Sequence, residues 1–362
     1  MSPTANAIPV FDGHNDTLLS LYAPRTGAQR AFFTQSEYGH IDFPRAQAGN
    51  LAGGLFAIFT RSEAAPTADA DKFPGTTVDA TGGYSLPMGA PVEQSHALAE
   101  TLAMAALLLR LERENAEQVK VVRTGAELDA ALAEGRFAMV FHIEGAEAID
   151  ADLNALEVLY AAGLRSLGLT WSRNNIFAHG VPFSFPQSPD IGPGLTAAGK
   201  ALVRACNDLG ILIDLSHLNE KGFWDVAELS SAPLAASHSN VHALSNSARN
   251  LTDRQLDAVK ASNGIVGLNF HCAFLREDGR ADPDTELATL VRHMDYMVER
   301  MGIDHVGLGS DFDGAVMPAP IHDVTGLPNL LDALRQAGYS EDELHQIAYR
   351  NWLRVLKTTW GT

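Results

Sequence analysis

Short apolar runs alternate with longer segments of helical period along almost the whole chain, and this alternation constrains the fold more than any other feature. Runs of β-type composition fall at residues 8–12, 54–60, 138–142, 166–170, 211–215, 234–237, 265–270 and 305–310. Helical patterns fall at 92–115, 125–134, 152–162, 196–209, 220–229, 252–261 and 284–301, with more at 327–337 and 340–356. Repeated β–α alternation predicts a parallel sheet with helices outside. The runs 211–215 and 265–268 are apolar at nearly every position, as strands buried on both faces are. Eight such units predict a closed (β/α)8 barrel of the TIM type. An open doubly wound sheet would usually carry a Gly-rich dinucleotide loop after its first strand, whereas this chain has FDGHND there. Barrels of this kind often pass 250 residues in a single domain, so residues 1–362 are expected to form one.

Two segments break the regular pattern. Residues 62–91 are rich in Gly, Pro, Ala and Thr, and residues 174–194 contain FSFPQSPDIGPG. Both follow predicted strands, so both are expected at the carboxyl end of the barrel, where active sites form. Loops of this length often serve as lids or pocket walls.

Composition narrows the partners. Hydrophobic residues make up 46% and charged residues 19%, which fits a soluble globular protein and not a disordered one. The formal charge of -18, from 44 acidic and 26 basic residues, repels phosphate backbones and anionic lipid, so neither nucleic acid nor membrane is an expected partner. The two cysteines, Cys206 and Cys272, are too few for a disulfide framework and are expected as small buried hydrophobes. The start MSPTANAIPV has no basic, apolar signal pattern, and no run reaches the ~18 apolar residues of a membrane span. A cytoplasmic location is the expectation.

Residues of metal chemistry gather at the carboxyl ends of the predicted strands. His14 and Asp16 follow the first, and an extended His-x-Asp places both side chains on one face. Imidazole and carboxylate are good zinc ligands. Glu144 follows the third strand, in HIEG. A carboxylate buried in a pocket needs a paired charge or a metal, and its two oxygens can bridge two cations. His217 ends the fifth strand, in IDLSH, and His238 the sixth, in AASHS. Consecutive strands are barrel neighbours, so these imidazoles can share a metal. Asp311 ends the eighth, in VGLGSDFDG, where it can take a proton from a metal-activated water and pass it to a leaving amine. Asp313 is the lesser candidate, because an Asp-Gly pair often only turns the chain. Arg249, in SNSARNLTD, offers a bidentate fork for a substrate carboxylate. Taken singly, each has a plainer role: a turn histidine with a capping aspartate, an ion-paired glutamate, a core histidine, a surface arginine. Together the His, Asp, Glu, His, His and Asp on strands one, three, five, six and eight suit two metals ~3.5–4 Å apart, which activate a water and polarise a carbonyl.

These residues stand in phrases that resemble the renal, or membrane, dipeptidase family of the amidohydrolase superfamily. The phrases are FDGHND at 11–16, HIEGAE at 142–147, GLTAAGKALVRACNDLGILIDLSH at 194–217, SHSN at 237–240, ARNLTD at 248–253 and GLGSDFDG at 307–314. The resemblance spans nearly the whole chain, and DLSH and SDFDG are its more specific phrases. It implies a (β/α) barrel with two Zn2+ per chain. His14 and Asp16 would bind one zinc, His217 and His238 the other, and Glu144 would bridge them. Asp311 would accept the proton of the metal-bridging hydroxide and protonate the departing amine. Arg249 would hold the free carboxylate of a dipeptide.

The chain also departs from the family. Where many members have Thr-His in the fourth-strand phrase, with the histidine polarising the scissile carbonyl, this chain has Trp171, in LTWSRNN. His179, in AHGVPF, is the candidate for that role at the substrate. His271 stands where relatives often carry a tyrosine near the substrate. His142 is read as a supporting or core residue and not as a ligand. The secretion signal and lipid-anchor tail of mammalian members are not seen here. The expected activity is therefore a metallo-dipeptidase acting on small dipeptides, L,D-dipeptides among them. The alternatives are an amidohydrolase acting on another amide or lactam, or a non-catalytic metal-binding barrel. A homodimer is the expected assembly.

Overall fold

The computed structural model describes residues 8–24, 27–62, 77–79 and 82–361. Eight parallel strands among them close into a barrel: β1 Val10–Asn15, β2 Leu51–Phe59, β3 Phe137–Glu144, β4 Leu164–Gly168, β5 Leu212–Asp214, β6 Ala235–Ala236, β7 Ile265–Leu268 and β8 Val306–Leu308. Each pairs with its neighbours in sequence, except that β1 closes the ring onto β8, Asp12 opposite Leu308. All eight coincide with an apolar run of the sequence, within a few residues at each end. A short strand, Val119–Val121, adds to the lower half of β3, at Phe137–Met139, while β4 takes the upper half, at Phe141–Glu144.

Strand periodicity divides the core. Along β3, Ala138, Val140, His142 and Glu144 share one face, and Met139, Phe141 and Ile143 share the other. Phe11, Leu55, Ala138, Val140, Leu212, Ala235 and Ile265 join Trp352, Val355 and Leu356 of the C-terminal helix Asn351–Trp360 in one buried cluster. That helix closes the bottom of the barrel, and the Trp352 indole N–H donates to the Leu308 carbonyl at 2.8 Å. The opposite strand faces, including Val10, Phe56, Met139, Phe141, Ile213 and Val266, pack with the surrounding helices. The inward face is thus apolar below and turns polar at His142 and Glu144, near the carboxyl ends.

The barrel is pinched at β6. A Cβ added at Gly13, Gly267 or Gly309 would fall on the Ser237 carbonyl oxygen, under 3.0 Å away. Only glycine permits β1 and β8 to approach β6 this closely across the interior.

Helix ends follow their capping residues. The helix Ala197–Leu209 starts where Thr196 Oγ1 accepts from Gly199 N–H, and it stops at Gly210 with φ +68. Two predicted helices differ. The 284–301 segment is helical only over Leu287–Met301, and the 340–356 segment is divided by a π-turn, Gln346–Arg350. Of the first insertion, residues 63–76 and 80–81 lie outside the described residues. Its strands Thr77–Val78 and Tyr84–Ser85 pair antiparallel with each other, and Tyr84–Ser85 pairs with Ser184–Phe185 of the second insertion. The two insertions therefore meet in a small sheet beside Ala248, whose N–H donates to Ser184 O. Cys206 and Cys272 are both buried, as expected. No described helix is long and apolar enough to cross a membrane.

Candidate metal centre

The strand ends bring six predicted residues to one place. His14 lies near the end of β1 and Glu144 is the last residue of β3. His217 and His238 lie just past β5 and β6, and Asp311 lies just past β8. The expectation of an extended His-x-Asp fails at Asp16, which has left the strand and sits at the N-cap of the helix Thr17–Tyr22 with φ -98 and ψ 25. The bend still brings Asp16 Oδ2 within 3.8 Å of His14 Nε2. His217 and Asp311 have left-handed backbones, with φ +66 and +61. Such conformations are costly for residues with a Cβ and persist where surrounding contacts fix them. Here Val181 N–H donates to His217 O at 2.8 Å, and Asp311 N–H donates to His14 O at 3.0 Å.

Donor atoms converge on one oxygen. Glu144 Oε1 lies 3.7 Å from His14 Nε2, 3.1 Å from His217 Nε2 and 3.5 Å from His238 Nε2. His217 Nε2 and His238 Nε2 are 3.2 Å apart, and the His14 and His238 rings stack at 3.8 Å. His14, Glu144 and His238 offer ligand atoms within 4.8 Å of one another, as do His14, Asp16 and Asp311. Both ring nitrogens of His14 are buried without a hydrogen-bond partner among the described residues. Buried polar atoms are rarely left so, and a cation at this spot would satisfy Nε2, the nitrogen that faces Asp16 and Glu144.

Electrostatics agree with a cation site. Burial opposes charge on His14, but Glu144, Asp16 and Asp311 outweigh it and raise its pKa to about 10. That shift reports a negative field, which a divalent ion would answer better than a proton. Burial pushes Glu144 well above the usual carboxylate range, against the pull of His14. Burial holds His217 and His238 well below the ordinary histidine value, with Arg249 and His14 adding to the effect. Both are therefore neutral, the state a metal ligand requires. Asp311 is pushed up to about 6 by burial, with His14 opposing.

Further residues fix these rings. Ser237 Oγ donates to Asp214 Oδ2 at 2.5 Å and lies 2.7 Å from His238 Nδ1. Ser172 Oγ lies 2.8 Å from His217 Nδ1. With each Nδ1 occupied, each Nε2 is left to face Glu144. Asn269 Nδ2 donates to Asp311 Oδ2 at 2.9 Å and so orients the carboxylate.

Comparison with known proteins then decides the family. The sequence profile of the membrane dipeptidase family (peptidase family M19) matches residues 2–360. The chain belongs to the membrane dipeptidase family. The expected enzyme class, a metallo-dipeptidase, is that of the family. A metallo peptidase from Rhodobacter sphaeroides, solved with a phosphinate mimic of the dipeptide L-Ala-D-Ala, superposes with a TM-score of 0.91. It is 49% identical, over 98% of this chain and 99% of that one. A Klebsiella pneumoniae protein from the pqqA 5′ region is 50% identical over 70% of this chain and 94% of its own length. The dipeptidase tcpJ of Claviceps purpurea is 27% identical over 96% of this chain and 76% of its own length.

Within this family fold the remaining predicted residues separate. Arg249 is buried beside the cluster; its Nη2 donates to His238 O at 3.0 Å, and its Cζ lies 5.3 Å from the Phe274 ring. Its Nε has no partner among the described residues. Burial lowers its pKa to about 10, while Asp311 and Glu144 oppose that. It therefore remains a cation at neutral pH. Trp171 lies against the site, its ring 5.9 Å from His217. His179 is half-buried, its carbonyl accepts from Asn219 N–H at 3.1 Å, and no hydrogen bond or ring contact ties it to the candidate ligands among the described residues. His271 is half-buried and stands edge-on to Phe274 at 4.5 Å. His142 supports from below: its Nδ1 lies 2.9 Å from Ser166 Oγ, and its Nε2 lies 3.6 Å from Asp214.

Asp313 does more than turn the chain. Its Oδ2 pairs with Arg30 Nη2 at 2.9 Å, its Oδ1 accepts from His40 N–H at 2.7 Å, and its own N–H donates to His40 Nδ1 at 2.8 Å. It clamps the 30–42 segment onto the loop that holds Asp311. Sequence reasoning missed Ser172, Asp214, Ser237 and Asn269. Asn269 lies just past β7, so the strand-end rule that singled out the candidate ligands applies to it too.

Proposed function

We propose that this chain is a binuclear zinc dipeptidase that hydrolyses the single peptide bond of small dipeptides with a free carboxylate, L,D-dipeptides among them. The observation that carries this reading is the convergence of three imidazole Nε2 atoms on Glu144 Oε1, beside a buried Arg249 whose guanidinium faces no carboxylate at ion-pair distance among the described residues. His14 and Asp16 would hold one ion and His217 and His238 the other, with Glu144 shared. Two such ions would supply Lewis acidity and lower the pKa of a bound water.

The chain's own residues carry the rest. Arg249 receives the substrate carboxylate, and its burial strengthens that attraction. Asp311, fixed by Asn269 and with its pKa raised to about 6, is able to take up a proton and return it near neutral pH. Support for an L,D substrate comes from the L-Ala-D-Ala mimic bound by the Rhodobacter relative. The closed barrel, whose strands run from Val10 to Leu308, supports one domain.

Elemental analysis of protein purified without chelator, with dipeptide assays on the same sample, tests this. Two zincs per chain and hydrolysis lost in Asp311→Asn are expected. Two metals without dipeptide turnover would move the substrate to another amide. Little bound metal, with no recovery on adding zinc, would sink the reading.

A further inference from the structure

The two ends of the site are joined along one side by aromatic rings. Trp171 and Phe183 lie 5.9 and 6.0 Å from the His217 ring and 5.3 Å from each other. Phe183 stacks on Phe274 at 6.1 Å with an interplanar angle of 8°, and Phe274 lies under the Arg249 guanidinium. Phe59 backs Trp171 at 4.8 Å. Trp171, Phe183 and Phe59 are half-buried, so each keeps some open surface. The charge behind this wall is already matched, because Arg173, 5.7 Å from Trp171, pairs with Glu147 at 2.8 Å.

The geometry points to Trp171, Phe183 and Phe274 as the specificity wall for the dipeptide residue that carries the free carboxylate, selecting apolar side chains there. This rests on the dipeptidase reading. With the carboxylate on Arg249 and the scissile bond beside His217 and His238, the C-terminal residue spans the distance between them. Its side chain then meets the rings. An apolar group gains burial and ring contact. An acidic group would lose hydration against the electron-rich ring faces without a partner. A basic group would be drawn to the ring faces, but it would lose hydration and sit beside the Arg249 cation, which already occupies the Phe274 face.

The test measures kcat/KM for size-matched dipeptide pairs, Ala-Leu against Ala-Asp and Ala-Met against Ala-Lys, with L and D forms at the second position. Metal content is measured in every sample. Wild type is expected to favour the apolar member by roughly 10-fold or more. Phe183→Ala and Trp171→Ala are expected to reduce that ratio below about threefold, whereas Phe183→Leu, which keeps an apolar surface, retains it. Hydrolysis of all four peptides at similar rates by wild type, or a ratio unmoved in both alanine variants, overturns the wall while leaving the dipeptidase reading intact. Hydrolysis of none by metal-loaded enzyme overturns both.

Discussion

Ser237→Ala is expected to loosen metal binding while the barrel stays folded. The hydroxyl has one proton, which it gives to Asp214 Oδ2 at 2.5 Å, so its oxygen accepts from His238 Nδ1 at 2.7 Å. Asp214 keeps two other donors, Ser216 N–H at 3.0 Å and Ser237 N–H at 2.7 Å. His238 has no such reserve, and the alanine leaves its Nδ1–H unpaired in a buried place. An unpaired buried donor costs about 1–3 kcal/mol. That is a fraction of the 5–15 kcal/mol typical of a folded domain, so the variant should fold. The lost orientation of the ligand should weaken metal affinity about 10–100-fold, equivalent to about 1.4–2.8 kcal/mol. Ser172→Ala is the internal comparison. Ser172 also holds a ligand Nδ1, but no hydrogen bond to a carboxylate backs its hydroxyl among the described residues, so its effect should be smaller. The assay is zinc titration against a competing chelator of known affinity, with circular dichroism to check folding. A folded Ser237→Ala protein that binds zinc within threefold of wild type would refute the reasoning, as would Ser172→Ala proving the more damaging.

Three further outcomes are expected. Gly309→Ala places a methyl on the Ser237 carbonyl across the barrel, and overpacking there should cost about 3 kcal/mol, or about 4 °C in Tm for a chain of this length; a fall of less than about 1 °C would argue against the pinch. Asp313→Asn leaves the buried Arg30 guanidinium without its counter-charge, a loss of about 3–5 kcal/mol, measured by urea unfolding and expected to be partly recovered in the double variant Arg30→Met, Asp313→Asn, which removes the unpaired charge and keeps an amide oxygen for His40 N–H. His293 accepts from Val241 N–H and donates to Leu275 O, and burial lowers its pKa to about 4 from the ordinary 6.5. The unfolded chain therefore takes the proton first, and the stability this histidine contributes is complete above about pH 6.5 and lost as pH falls toward 4. Between pH 7 and 5 wild type should lose about 2 kcal/mol more than His293→Gln, and equal losses would count against the buried neutral imidazole.

The sequence by itself determined the barrel and where its candidate site would gather. Strands buried on both faces read as apolar runs, and the chemistry-bearing side chains sat where those runs stopped. That is a local pattern, visible without any knowledge of how the strands pair. His14, Glu144, His217, His238 and Asp311 were legible for this reason. Tertiary structure decided what depends on atoms distant in the chain. Asp16 reaches His14 through a helix cap and not along a strand, and His179, close in sequence to Trp171, has no hydrogen bond or ring contact to the cluster among the described residues. Asp313 is a clamp because Arg30 and His40, 283 and 273 residues away, close on it. The glycines at 13, 267 and 309 carry meaning only once the Ser237 carbonyl is seen against them. Hydrogen bonds, ion pairs and steric contacts act over a few ångströms in space, and only folding brings such residues that close.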